Sequence, residues 1–212
     1  AGRRARHPAL YPDRVERFPP ISGGNLPTPK LLLPMKLPPL LLTLAVGLLL
    51  ACHAFWGWVP ILDSANLAFH EAGHPIFGLL SSRLAVYGGT LMQLLIPAAC
   101  AWECFRREQL FGFFACLVWI GENLLNIARY MADARAHQLP LVGGLDPEDF
   151  HDWTEILSRW GLLNQDTALA LLVRAGAVGL MVWAVIRAWH AAAQADPAVP
   201  YRSSMPGARR MR

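Results

Sequence analysis

Long apolar runs, separated by short polar stretches, dominate the pattern of this chain. Residues 37–58, "LPPLLLTLAVGLLLACHAFWGW", carry no charge apart from any protonation of His53 and end in tryptophans. A helix needs about 20 apolar residues to cross the hydrocarbon core of a bilayer, and tryptophan is typical of the membrane interface. The run therefore predicts a transmembrane helix. Four further apolar segments follow, at 64–82, 84–104, 110–133 and 167–190.

The arginines constrain how these segments thread through the membrane. They cluster near both termini and in the turn at Arg106-Arg107, and arginine is enriched on the cytoplasmic side. All three positions are cytoplasmic if four segments cross while 64–82 enters and returns from the outer side. The sequence thus predicts an all-α membrane protein with four transmembrane helices, in which 64–82 forms a re-entrant or a fifth membrane helix.

The longest hydrophilic stretch of the core lies between 133 and 167. In it, Asp146 can cap a helix whose first residue is Pro147 and which Gly161 ends, so a helix over 147–160 is predicted. Its apolar residues fall on one face, which predicts an amphipathic helix in the membrane interface. They are Trp153, Ile156, Leu157 and Trp160.

Composition supports a membrane setting. Hydrophobic residues make up 54% of the 212 residues and charged ones 16%, against about 25% charged in an average soluble domain. The net charge of +4 is explained by membrane topology, because the arginines lie mostly at the termini and beside apolar runs. We therefore expect the lipid bilayer, and no nucleic acid, as a partner.

Three regions follow from this pattern. Residues 1–34 are rich in Pro, Arg and Gly without apolar periodicity, so we expect a disordered basic extension. Met35 stands directly before the first apolar run and could be the natural start. Residues 35–190 should form a single membrane domain, followed by a disordered basic tail at 191–212.

The stretch "SANLAFHEAGHPIFGLL", residues 64–80, contains His-Glu-x-x-His. On a helix His70 and His74 lie one turn apart and can bind one Zn²⁺, while Glu71 can act as general base towards a zinc-activated water. Asn66 shares the histidine face and could support the site. Pro75 should kink the helix just past the histidines, which could open a water-filled site or distort the motif into an inactive one.

A zinc site needs a third protein ligand, and the sequence offers alternatives. Segment 110–133 carries a polar stripe that could face the histidines. Asp133 is the first choice for the ligand, and the deeper Glu122 could replace it or support a ligand. His151 is the competitor, although its position opposite the tryptophans would make it face water. The stripe consists of Glu122, Asn126, Arg129, Tyr130 and Asp133.

An HExxH motif in a membrane segment, followed by further spans and a distant acid, resembles the site-2 protease class of intramembrane zinc metalloproteases. The resemblance implies zinc on His70 and His74, with Glu71 as general base. In that class the third ligand is an aspartate within Leu-Asp-Gly. This chain has no such motif, because Leu145-Asp146 is followed by Pro147.

The core over 35–190 also resembles a small, uncharacterised family of bacterial HExxH membrane proteins. The resemblance rests on "HEAGH", "GGTLMQLLIP", "YMADARAHQLPL" and "HDW". It implies a shared role for Asp133 and for the triplet that contains His151 and Asp152. Gly88-Gly89 in the second motif could loosen helix packing or expose backbone, but we favour a turn between two membrane segments.

The sequence thus predicts a zinc-dependent protease that cleaves a membrane protein or peptide within or near the bilayer. The alternative is a non-catalytic metal-binding membrane protein with a role in assembly or sensing. The expected location is the bacterial inner membrane, with both termini cytoplasmic. The oligomeric state does not follow from the sequence.

Overall fold

The computed structural model describes residues 36–140 and 151–195, and within these ranges it contains helices and no strand. The predictions for residues 1–34, for the cap Asp146 and Pro147, and for most of the C-terminal tail lie outside the described residues. The α-helices are α1 (Leu37–Phe55), α2 (Leu62–Leu80), α3 (Ser82–Arg106), α4 (Leu110–Ala132), α5 (Asp152–Arg159) and α6 (Asp166–Gln194).

Four helices are long and apolar enough to cross a membrane: α1, α3, α4 and α6, the last together with a short 3₁₀ turn over Leu163–Gln165. The all-α class and the four transmembrane segments are therefore confirmed, and the chain is an integral membrane protein. The histidine-bearing helix α2 is not among the four. Its predicted entry into the membrane stays a prediction.

Close packing of α4 on α6 forms the apolar core. A Cβ atom added to Gly121 would lie 2.4 Å from Cγ of Met181 and 3.2 Å from the carbonyl oxygen of Ala177. Small residues allow such close approach between helices where lipid supplies little hydrophobic driving force. The buried residues of this core include Leu42, Val46, Phe114, Val118, Leu125, Ala177, Met181 and Ala184.

Helices α2 and α3 cross with their backbones in contact. A Cβ atom added to Gly73 would lie 2.1 Å from the carbonyl oxygen of Gly88, so only glycine fits there. The turn predicted at Gly88-Gly89 is wrong, because both residues lie inside α3 and the chain turns at Ser81 instead. The tight crossing offsets the weak helix preference of glycine.

Helix α2 also continues through Pro75 to Leu80. The proline predicted to kink the helix therefore does not end it, and the histidine motif lies on an unbroken helix. His70 and His74 are one turn apart on this helix, as the spacing predicts.

Helix α5 buries its apolar face within the protein. Trp153, Ile156 and Leu157 are buried against residues of α4 and α6, whereas Trp160 remains exposed and stacks on Tyr87. The prediction that His151 faces water is wrong, because His151 is buried and caps α5 by accepting a hydrogen bond from the Thr154 amide at 3.3 Å. The residues that α5 covers are Ile127, Ala128, Met131, Ala134 and Ala170.

Candidate metal centre

Three side chains from distant parts of the chain meet at the histidine motif. The Nε2 atom of His70 lies 3.0 Å from Oδ2 of Asp152, and the Nε2 atom of His74 lies 3.4 Å from the same oxygen. One ligand atom from each residue lies within 4.8 Å of the other two. We call this group of His70, His74 and Asp152 the His70 centre.

The outer nitrogen of each imidazole faces a hydrogen-bond acceptor. His70 Nδ1 lies 3.2 Å from Oε1 of Gln93, and His74 Nδ1 lies 2.9 Å from the carbonyl oxygen of Ala85. With each Nδ1 able to donate to its acceptor, the Nε2 atoms that face Asp152 are the ones that would bind a metal. Both acceptors come from α3, which the glycine crossing holds against α2.

The carboxylate of Asp152 is held in place at the start of α5. Its backbone amide donates to the hydroxyl of Tyr130 at 3.2 Å, and the Tyr130 ring packs edge-on against His70, with centroids 6.0 Å apart. Burial raises the pKa of Asp152, but its hydrogen bonds with His70 and His74 outweigh burial and leave the pKa below its ordinary value. The residue is therefore an anion at neutral pH, as a metal ligand must be.

The two predicted third ligands, Asp133 and His151, do not belong to this group. Asp133 accepts hydrogen bonds from the amides of Gln138 and Leu139, at 2.9 and 3.0 Å. His151 lies 3.6 Å from Asp133, and burial keeps the pKa of His151 below its ordinary value. The pair instead anchors the start of α5, and the next residue, Asp152, reaches the histidines.

A cavity of about 350 Å³ lies beside the His70 centre. Glu71, the predicted general base, lines it together with His70. Three of the five residues in the polar stripe of α4 also line this cavity: Asn126, Arg129 and Tyr130. Other residues that line it include Trp58, Asp63 and Asn66.

The donor set of the His70 centre fits zinc. Two imidazoles and one carboxylate are a known set of protein ligands for catalytic zinc, which keeps a fourth position open for water or substrate. The second interactions that orient each histidine are those that metal-bound histidines usually make. Related divalent metals of the first transition row accept the same ligands.

The remaining predicted residues form a second buried group. Asn66 donates to Oε2 of Glu122 at 2.6 Å, and Asn126 donates to Oε1 of Glu122 and, at 2.8 Å, to Oδ1 of Asp63. His53 lies 3.5 Å from the same Glu122 oxygen as Asn126. Sequence reasoning missed His53 and Asp63 as members, although His53 is a polar residue inside the first apolar segment and Asp63 directly precedes the second. We call His53, Asp63 and Glu122 the Glu122 cluster.

Gln93 was also missed. A glutamine within an apolar transmembrane helix is itself a signal of function, because polar groups in a membrane are unfavourable unless they have a partner. Comparison of the chain with protein-family models, curated proteins and solved structures gave no match.

Proposed function

We propose that this protein is a membrane-embedded zinc metalloprotease that hydrolyses a peptide bond within or near the bilayer. The observation that carries the proposal is the approach of one Asp152 oxygen to both Nε2 atoms of the HExxH histidines, at 3.0 and 3.4 Å. This carboxylate lies 78 residues beyond His74 in the sequence. If the HExxH motif had arisen by chance, nothing would favour the approach of so distant a carboxylate to both histidines.

Each residue of the proposed site would have its own role. His70, His74 and Asp152 would hold the zinc ion, which supplies Lewis acidity that activates a water and polarises a carbonyl group. Glu71 follows His70 directly and lines the cavity, where its carboxylate can take a proton from the attacking water and pass it to the leaving amine. Tyr130 and Gln93 position the ligands.

The cavity supports a peptide as substrate. It combines apolar side chains with amide and guanidinium donors, and a peptide backbone in a membrane needs such polar partners. We propose that the substrate is a membrane protein or peptide. We further propose that α2 enters the bilayer from the outer side and that both termini are cytoplasmic, in a bacterial inner membrane.

The test is Glu71→Gln in the full chain, purified in detergent and incubated with a panel of fluorogenic peptides that contain transmembrane segments. Loss of a general base lowers the cleavage rate by about 10²–10⁴-fold, while the zinc content should be unchanged, because Glu71 is not a ligand. Glu155→Gln, on the exposed surface of α5, is the matched control and should cleave normally.

Unchanged cleavage by Glu71→Gln would refute the protease mechanism. A wild-type protein that holds zinc at the His70 centre but cleaves no member of the panel would favour the alternative, a non-catalytic metal-binding protein with a role in assembly or sensing.

A further inference from the structure

We propose that the Glu122 cluster is a second binding site for a divalent cation of the zinc type, separate from the His70 centre. The inference does not depend on the proposed protease activity. It rests on the geometry, the charge and one unsatisfied nitrogen of His53, Asp63 and Glu122.

The geometry places three different ligands around one point. A ligand atom from each of the three residues lies within 4.8 Å of the other two. His53 comes from the last turn of α1, Asp63 from the first turn of α2 and Glu122 from the middle of α4. A cation at this point would join three helices, α1, α2 and α4.

The negative charge of the cluster favours the binding of a cation. The Asp63 residue is 2% exposed and Glu122 is fully buried. N–H groups of Val59, Asn66 and Asn126 donate hydrogen bonds to these two carboxylates, and such donors favour the ionised form. Two adjacent anions away from water are strongly unfavourable without compensation. No lysine or arginine in the described ranges forms an ion pair with either one.

His53 supplies the independent observation. Its Nε2 atom is buried and has no hydrogen-bond partner among the described residues, while its side chain is 11% exposed. A buried nitrogen without a partner is unfavourable. A proton shared by the two carboxylates would reduce their charge but would leave this nitrogen unsatisfied. A divalent cation would neutralise both carboxylates and accept the lone pair of His53 at once.

The ligand set indicates the type of cation. One imidazole and two carboxylates suit zinc and its first-row neighbours, whereas magnesium and calcium prefer oxygen ligands alone. Asp63 precedes His70 by seven residues on α2, a rise of about 10.5 Å along the helix. Metal pairs that act on one substrate lie about 3.5–4 Å apart, so the two sites are separate. Asp63 lines the cavity, which gives a cation a route to the cluster.

The experiment counts zinc on the full chain. The protein is purified in detergent, stripped with a chelator, titrated with Zn²⁺ alone, passed through a desalting column and measured by plasma mass spectrometry. We expect two zinc ions per chain for the wild type, one for each of the two groups. His53→Ala should retain one, His70→Ala should retain the other, and the double variant should retain none. His190→Ala, at an exposed position in α6, is the matched control and should retain both.

A wild-type protein that binds a single zinc, lost in His70→Ala and retained in His53→Ala, would overturn the second site. If His53→Ala fails to fold, two zinc counts still decide the question: that of the wild type and that of Glu122→Gln, which preserves the shape of the side chain. A failure of the proposed protease function is distinguishable, because it appears as unchanged cleavage by Glu71→Gln, or as no cleavage by the wild type, and leaves both zinc counts unchanged.

Discussion

The His70 centre and the Glu122 cluster are both built from three potential ligands, but their surroundings have opposite hydrogen-bond polarity. The imidazoles of His70 and His74 face acceptors, the side chain of Gln93 and the carbonyl of Ala85. The carboxylates of Asp63 and Glu122 face donors instead. Acceptors suit the Nδ1–H group of an imidazole, whereas N–H donors stabilise carboxylate anions.

The two groups also differ in the charge that their ligands would carry with a metal bound. The His70 centre would have one anionic and two neutral ligands, a balance typical of zinc sites that keep an open position. The Glu122 cluster would have two anionic ligands and one neutral ligand, so a divalent cation there would leave no net charge. The groups that hydrogen-bond to the ligands therefore help to identify a metal site.

The largest expected effect concerns the third ligand of the His70 centre. Asp152→Asn removes the anion that contacts both histidines, so zinc affinity at this centre should fall by more than the roughly 100-fold that loss of a supporting residue can cause. Competition with a chromophoric chelator measures it, in the His53→Ala background so that only one site binds. Asp133→Asn is the matched variant and should retain tight binding. Loss of zinc in Asp133→Asn but not in Asp152→Asn would reverse the assignment.

A smaller effect is expected from the acceptor that orients His70. Gln93→Ala removes the oxygen 3.2 Å from Nδ1 of His70, and zinc affinity at the His70 centre should fall by about 10–100-fold. Gln93→Glu retains an acceptor and should restore most of the zinc affinity. A purely steric role for Gln93 would not explain this recovery. The same chelator assay applies. Equal binding by wild type and Gln93→Ala would show that the ring is oriented without this contact.

The smallest effect is expected at Asn126, whose amide donates to both carboxylates of the Glu122 cluster. Asn126→Ala leaves Asn66 and the Val59 amide as donors, so affinity of the second site should fall by about tenfold, the low end for a supporting residue. Zinc titration of the His70→Ala background isolates this site. An increase in affinity would mean that the amide competes with the cation rather than supporting the carboxylates.

The sequence predicted the parts of the fold that have a regular period. Long apolar runs correspond to α1, α3, α4 and α6, and three residues of the polar stripe of α4 line the cavity. The HExxH spacing placed His70 and His74 on one helix face. These features are local, because each depends on residues within a few turns of one helix.

The parts that sequence reasoning missed depend on where a helix begins or on contacts between distant elements. Residues 151 and 152 differ by about 100° around a helix, so the choice between His151 and Asp152 depends on the cap, which the sequence did not locate. Gln93 and Asp63 make their contacts with the two groups only when α3 and α4 pack against α2. No spacing rule joins them to His70 or Glu122.

The crossing of α2 and α3 at Gly73 and Gly88 has a consequence for movement. Because two backbones touch there, neither helix can slide or roll past the other without a clash, and the pair must travel as one rigid body. His70, His74 and the groups that orient them belong to that body, while Asp152 belongs to α5. A movement that opened the His70 centre would therefore have to displace α5 relative to the pair, and it would separate the carboxylate from the histidines.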